Sequence, residues 1–151
     1  MSLSQQVLKE AGQLNLLNMS GSPLEITNLT AAKTLLASDT GRIFTLDLAG
    51  GFTVTLPAVA TAGAGWNAIF IVKTAPTTHY NITSPAADMH SVLVSSTGGD
   101  VSGECTAGTA SATIRFAANV ATATDRIDII GNGVSYYALA RFDADAAVTT
   151  P

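Results

Sequence analysis

Charge is what this chain has least of. Only 12% of its 151 residues are Asp, Glu, Lys or Arg, and the seven basic residues are scattered rather than gathered in a run. That excludes the clustered Lys and Arg that displace counterions from phosphates, so no direct contact with nucleic acid is expected. Net charge is −4. Aromatic residues make up 6%, and there is one cysteine, Cys105. A single cysteine excludes an intrachain disulfide framework. With Glu104 and Thr106 beside it and no base close in sequence, it reads as an inert thiol. No run reaches the roughly 18 apolar residues of a membrane span, so no membrane partner is expected. The first residues, MSLSQQVLKEAGQLNLLNM, have no basic stretch leading into an apolar core. No secretory signal is read there, and synthesis in a cytoplasm is expected.

What is present is small aliphatic residues and threonine. The chain is 47% apolar with a mean hydropathy of +0.34, and Thr with Val and Ile favours strands. Such a surface has two ordinary explanations: it is hidden in an assembly, or it is solvated by Thr, Ser and Asn. Assembly is the reading preferred, since exposed apolar area usually marks an interface.

Along the chain, residues 1–20 differ from the rest. Ser4 can cap a short helix from Gln5 to about Ala11, and Leu14, Leu16 and Leu17 follow Gly12 with spacing that suits an extended segment or a helix. The segment reads as an arm, with Leu3, Val7, Leu8, Leu14, Leu16 and Leu17 as its candidate contacts; a helix packed on the domain's own sheet is the alternative. From Pro23 onward β signals dominate: PLEIT, RIFTLD from Arg42, FTVTL from Phe52, the run Trp66–Lys73 that is apolar on both faces, Tyr80–Thr83, SVLVS, ATIRFA, RIDII from Arg126 and VSYYALAR from Val134. AAKTLLAS at 31–38 leaves room for a short helix. Turn formers lie between nearly all of these runs, and Gly131-Asn132-Gly133 is the sharpest, predicting an antiparallel hairpin. The expected fold is all-β: an antiparallel β-sandwich or jelly-roll-like barrel at 21–142 with an extended N-terminal arm at 1–20 and an exposed tail at 143–151. No strict repeat of 20–50 residues is visible, which argues against a solenoid.

The stretch GFTVTLPAVATAGAGWNAIFIVK poses the chemical question, because a glycine-rich link can cradle phosphate. Gly63-Ala64-Gly65 lacks the third glycine of a dinucleotide fingerprint and is followed by another β-like run; the nearest lysine, Lys73, lies inside that run. The stretch therefore reads as a connection between strands. His79 and His90 lack the tight spacing and cysteine support of a metal site. Asp125 and Asp128 are three apart and fall on opposite faces of a strand. No Gly-x-Ser-x-Gly elbow exists. No catalytic, cofactor-binding or metal residues are assigned, no small-molecule substrate is expected, and the chain reads as a non-enzyme.

FTVTLPAVATAGAGWNAIFIVK followed by GNGVSYYALARF resembles the small β-rich structural proteins of tailed bacteriophages. In these a strand ending in Leu-Pro leads through a Gly-rich link to an apolar strand, and a last hairpin carries aromatics, here Tyr136 and Tyr137. The resemblance covers roughly residues 42–141 and is nearest to capsid decoration (cement) proteins. It implies a homotrimer on the capsid exterior of a virion, with the major capsid protein as partner and the arm laid over neighbouring subunits. Trp66, Tyr136 and Tyr137 are then candidates for the trimer interface or the core. Two other readings stand beside it. One is a tail-fibre, baseplate or spike component that binds a host surface. The other is a carbohydrate-binding module or small β-fold enzyme using Trp66, Tyr80, Tyr136 and Tyr137 with Asp88 or Asp128.

Overall fold

A computed structural model of the protein describes residues 25–95, 110–144 and 146–150. Eleven strands are present among them: β1 (Ile26–Leu29), β2 (Lys33–Thr34), β3 (Arg42–Leu46), β4 (Thr53–Thr55), β5 (Ala64–Val72), β6 (Tyr80–Thr83), β7 (Met89–Ser95), β8 (Thr113–Phe116), β9 (Arg126–Asn132), β10 (Tyr136–Phe142) and β11 (Val148–Thr149). They form a six-stranded sheet, ordered β1-β3-β5-β9-β10-β7, and a five-stranded sheet, ordered β11-β8-β6-β4-β2. From β1 to β9 the chain changes sheet at every connection. Only β9 and β10 are consecutive in the same sheet.

The all-β expectation holds, but the antiparallel one does not. β1, β3 and β5 run parallel in one sheet and β2, β4 and β6 run parallel in the other. β7 is parallel to β10, while β5–β9, β9–β10, β6–β8 and β8–β11 are antiparallel. Both sheets are thus mixed, and neither closes into a barrel among the described residues. The first half winds in coils, with Ile26 aligned on Ile43 and Ile43 on Ile69, and Lys33 aligned on Val54 and Val54 on Ile82. The coils are unequal in length, so a solenoid-like winding is present without the sequence repeat that would announce it.

One buried cluster draws on both sheets. The six-stranded sheet contributes Phe44, Trp66, Phe70, Ile127 and Tyr136, and the five-stranded sheet contributes Val54, Tyr80, Ile82, Ile114 and Phe116. Phe44 and Phe70, cross-strand partners, stack with ring centroids 5.5 Å apart. Trp66 meets Tyr136 edge-on at 5.6 Å. Fully burying a side chain of this size removes enough apolar surface from water to stabilise the fold by about 2–3 kcal/mol. β5 alternates strictly, burying Trp66, Ala68, Phe70 and Val72, as a central strand should.

The loops correct the sequence reading in three places. The Gly-rich link holds a single helical turn, α1 (Val59–Ala62), which Gly63 ends at φ +81°, donating its N–H to the Val59 carbonyl. Residues 31–38 form β2 and enter a 3₁₀ turn at Ala37–Asp39 instead of a helix. The C-terminal residues are no exposed tail: β11 pairs with β8, and Ala147 and Val148 are buried. The Gly131-Asn132-Gly133 hairpin is present, but its parts act differently from one another. Gly133 takes the positive φ, +89°. The Asn132 side-chain oxygen accepts hydrogen bonds from the N–H groups of Val134 and Ser135. Gly131 sits in the strand, where a Cβ would lie 3.0 Å from the Tyr136 ring. The arm at 1–20 lies outside the described residues.

Gly51 offers a direct check of this loop geometry. It turns the chain into β4 at φ +63°, and a Cβ there would come within 2.5 Å of the His79 carbonyl oxygen and 2.6 Å of that of Thr78. Gly51→Ala should cost at least about 2 kcal/mol, lowering the melting temperature by roughly 5 °C or more. A thermal melt unchanged from wild type would refute the close approach of the β3–β4 turn to the residues before β6.

Candidate functional site

The pleat gives each sheet an inward and an outward set of side chains, and the two outward sets differ in kind. On the five-stranded sheet the outward registers read Thr34–Thr55–Thr83–Thr113 and Thr53–Asn81–Arg115–Thr149. Hydroxyls dominate, and several are tied together: Thr83 and Thr113 approach to 3.3 Å, and the Arg115 Nε donates to Thr149 Oγ1 at 3.0 Å. This face carries its own hydrogen-bonding partners for water.

The outward face of the six-stranded sheet is the more apolar of the two. One register runs Ile26–Ile43–Ile69–Asp128–Leu139–Val92 across all six strands. The next runs Asn28–Thr45–Ile71–Arg126–Arg141–Val94, and a shorter one runs Asn67–Ile130–Tyr137–His90. Ile26 is 66% exposed, Ile130 56%, Tyr137 51% and Val92 39%. Charge enters only in the middle. Arg126 Nε donates to Asp128 Oδ1 at 2.5 Å, and Arg141 stands cross-strand from Arg126 without a carboxylate partner of its own among the described residues.

Two polar groupings border this face. At one end Asp47 accepts from Lys73 Nζ at 2.7 Å, from Thr74 Oγ1 at 2.6 Å and from Asn28 Nδ2 at 3.0 Å. The lysine first, then the threonine and asparagine, hold the Asp47 carboxyl well below the usual carboxylate range. The grouping joins residues from β1 with those just after β3 and β5, and its donors and acceptors are occupied by one another. At the other end the His90 and Tyr137 rings stack at 5.7 Å, and Asn132 Nδ2 donates to the Tyr137 hydroxyl at 3.3 Å. That corner joins an exposed aromatic ring to amide and imidazole groups.

No family model, curated protein or solved structure matches this chain.

The aromatic residues singled out from the sequence therefore separate by geometry. Trp66 and Tyr136 belong to the core, as does Tyr80, while Tyr137 stands on the outer face. A sugar platform built from all four is corrected to one ring, because three are buried; Asp88 is engaged by the Ser84 hydroxyl at 2.5 Å. His79 Nδ1 accepts from the Ala118 N–H at 2.9 Å, whereas His90 lies on the outer face. Among the described residues no three His, Cys, Asp or Glu side chains converge as metal ligands would. Leu3, Val7, Leu8, Leu14, Leu16, Leu17 and Cys105 lie outside the described residues. The sequence reading missed the apolar outer face as a unit. Its signal was there in RIFTL, AIFIV and RIDII, where apolar residues occupy both phases of the alternation.

Tyr136 supplies a pH test of the core beneath this face. Its hydroxyl donates to the Pro57 carbonyl at 2.8 Å, and burial, with a smaller contribution from the Asp88 charge, pushes its pKa up to about 12. Burial moves Tyr80 in the same direction. An acid whose folded pKa is raised keeps its proton after the unfolded chain has lost it. Stability should therefore fall between about pH 10 and pH 12, by on the order of 2 kcal/mol from Tyr136 alone. Tyr136→Phe should lower stability at pH 7 by about 1–3 kcal/mol, because the Pro57 carbonyl loses its donor, and flatten the alkaline decline. Denaturant titrations from pH 8 to pH 12 check both, and an equally steep decline in the variant would refute the assignment.

Proposed function

We propose that this protein is a structural component that works by covering the outside of a larger particle, and that the particle is a phage capsid, which it decorates as a trimer. The observation that carries the assembly reading is the division of the two outer faces: threonine solvates one, and isoleucine, leucine and valine expose the other. Exposed apolar side chains gathered on one face are a usual mark of an interface. The resemblance of FTVTLPAVATAGAGWNAIFIVK and GNGVSYYALARF to decoration proteins supplies the particle. The mechanism is linkage. A trimer that binds only the assembled shell raises the free energy needed to take the shell apart, and three arms on one trimer raise each other's effective concentration. In this reading Leu14, Leu16 and Leu17 fill apolar grooves on neighbouring major capsid subunits.

The test is co-sedimentation with undecorated capsids and the temperature at which those capsids release their contents. Wild-type protein should bind and raise that temperature. The full chain carrying Leu14→Ser, Leu16→Ser and Leu17→Ser should keep its own melting temperature and bind at least tenfold more weakly. Equal binding by the two proteins would eliminate the arm's role, and no binding by wild type would eliminate the capsid reading.

One observation favours a second reading, a host-surface component of the tail. Tyr137, with Asn132 and His90 beside it, has the composition of a sugar-binding corner: a ring face next to an amide and an imidazole. Wild-type binding to a glycan array, lost in Tyr137→Ala, would support it; an array with no binding would remove it.

A further inference from the structure

The apolar outward face needs an occupant, and its own chemistry points to one. We propose that the outward face of the six-stranded sheet is a homotypic interface, covered in solution by the same face of other copies of this chain. The inference rests on the assembly reading above, which it deepens by naming the surface, and it does not require the capsid.

Size is the first argument. Six strands about 4.8 Å apart, read over three registers about 6.7 Å apart, span on the order of 500 Å² of flat sheet, and side-chain relief brings the accessible area toward the roughly 800 Å² per partner of a stable complex. The face thus approaches the area of a stable interface and would make up most of one.

Charge is the second. The face carries both signs close to its centre. Asp128 on β9 is partnered within the chain by Arg126, and Arg141 on β10 is a neighbouring cation with no carboxylate of its own among the described residues. Arg126 and Arg141 are cross-strand neighbours, and like charges placed so repel. A second copy brings a second Asp128, and that carboxylate has acceptor capacity beyond its bond to Arg126. An Asp128–Arg141 pair between copies would relieve the repulsion. A surface that holds both the acid and the unmatched base can complement the same surface of another copy. A foreign partner would have to match both by separate evolution of its own surface.

The contrast with the other sheet is the third. Ile69, Leu139 and Val92 occupy outward positions of the six-stranded sheet, whereas the outward positions of the five-stranded sheet include Thr55, Thr83 and Thr113. Both sheets have the same need to bury an inner face, so core packing does not account for aliphatic side chains on only one outer face. Closure by a copy does.

The experiment is the solution mass of the intact protein by light scattering, with variants that are exposed in a single copy and so leave its core alone. Wild type should have a mass that is a multiple of 15.4 kDa. Ile130→Lys and Val92→Lys should each weaken association on the order of 100-fold, since a lone ammonium would be buried in apolar surroundings. Both should fall to the single-chain mass at concentrations where wild type is assembled, with circular dichroism unchanged. Thr55→Lys, on the outer face of the other sheet, should keep the wild-type mass. A monomeric wild type overturns the proposal and leaves the face to the chain's own first 24 residues or to another protein. An oligomer indifferent to Ile130→Lys and Val92→Lys overturns it as well. Wild type that is oligomeric through this face yet fails to sediment with capsids removes the capsid reading and keeps the interface; a monomer that sediments with them does the reverse.

Discussion

The register of β5 decides where everything else goes. It is hydrogen-bonded in parallel to β3 along one edge and antiparallel to β9 along the other, so it joins the wound first half of the chain to the hairpin of the second. Side chains alternate with a period of two, and a one-residue slip would exchange the faces of the strand. Trp66 and Phe70 would leave the core, and Ile69 and Ile71 would enter it. The indole contact with Tyr136, the Phe44–Phe70 stack and the outward aliphatic registers all depend on the same alignment. The bulge between Ala64 and Asn67 absorbs the irregularity at the entry of β5, next to Gly65 at φ +89°.

Much of the strand content was legible in the sequence, because alternation is a local property. RIFTL, FTVTL, TIRF and RIDII each give a strand where the pattern places one, and the Gly-Asn-Gly turn gives its hairpin. Pairing is not local, and it was there that the reading failed. Parallel neighbours such as β3 and β5 are joined through a strand of the other sheet, and nothing in RIFTL or AIFIV states which strand lies alongside. The unequal coils hide the winding from any search for a fixed repeat. α1 is one turn of Val-Ala-Thr-Ala, too short for periodicity to show. β11 was missed because Val148 and Thr149 make only a two-residue strand, whose burial comes from β8 and not from its own pattern.

The composition posed a choice between a surface hidden in an assembly and one solvated by threonine. The molecule has a face of each kind, threonine on one sheet and aliphatic side chains on the other. The low charge content follows from this division, since neither a threonine lattice nor an aliphatic face calls for Lys or Glu. Among the described residues several of the charges pair with one another, as Asp47 does with Lys73, Asp39 with Arg42 and Asp128 with Arg126. The aromatic residues expected to mark either a core or an interface divide in the same way, with Trp66 and Tyr136 inside and Tyr137 outside.

Winding from one sheet to the other also sets an order of events during folding. Contacts between residues distant in sequence are expensive to close, so chains that depend on them fold slowly. Of the pairings described, the β9–β10 hairpin is the most local; the others wait for intervening strands to reach the opposite sheet. β7 lies beside β10 in space, yet β8 and β9 intervene in the chain, so the last third must be in place before Val92 and Leu139 become neighbours. The full registers, from β1 to β7, thus come into existence only as winding is completed. A half-wound chain offers only the part of this surface that lies on β1, β3 and β5, and the face that spans six strands waits until the fold is finished.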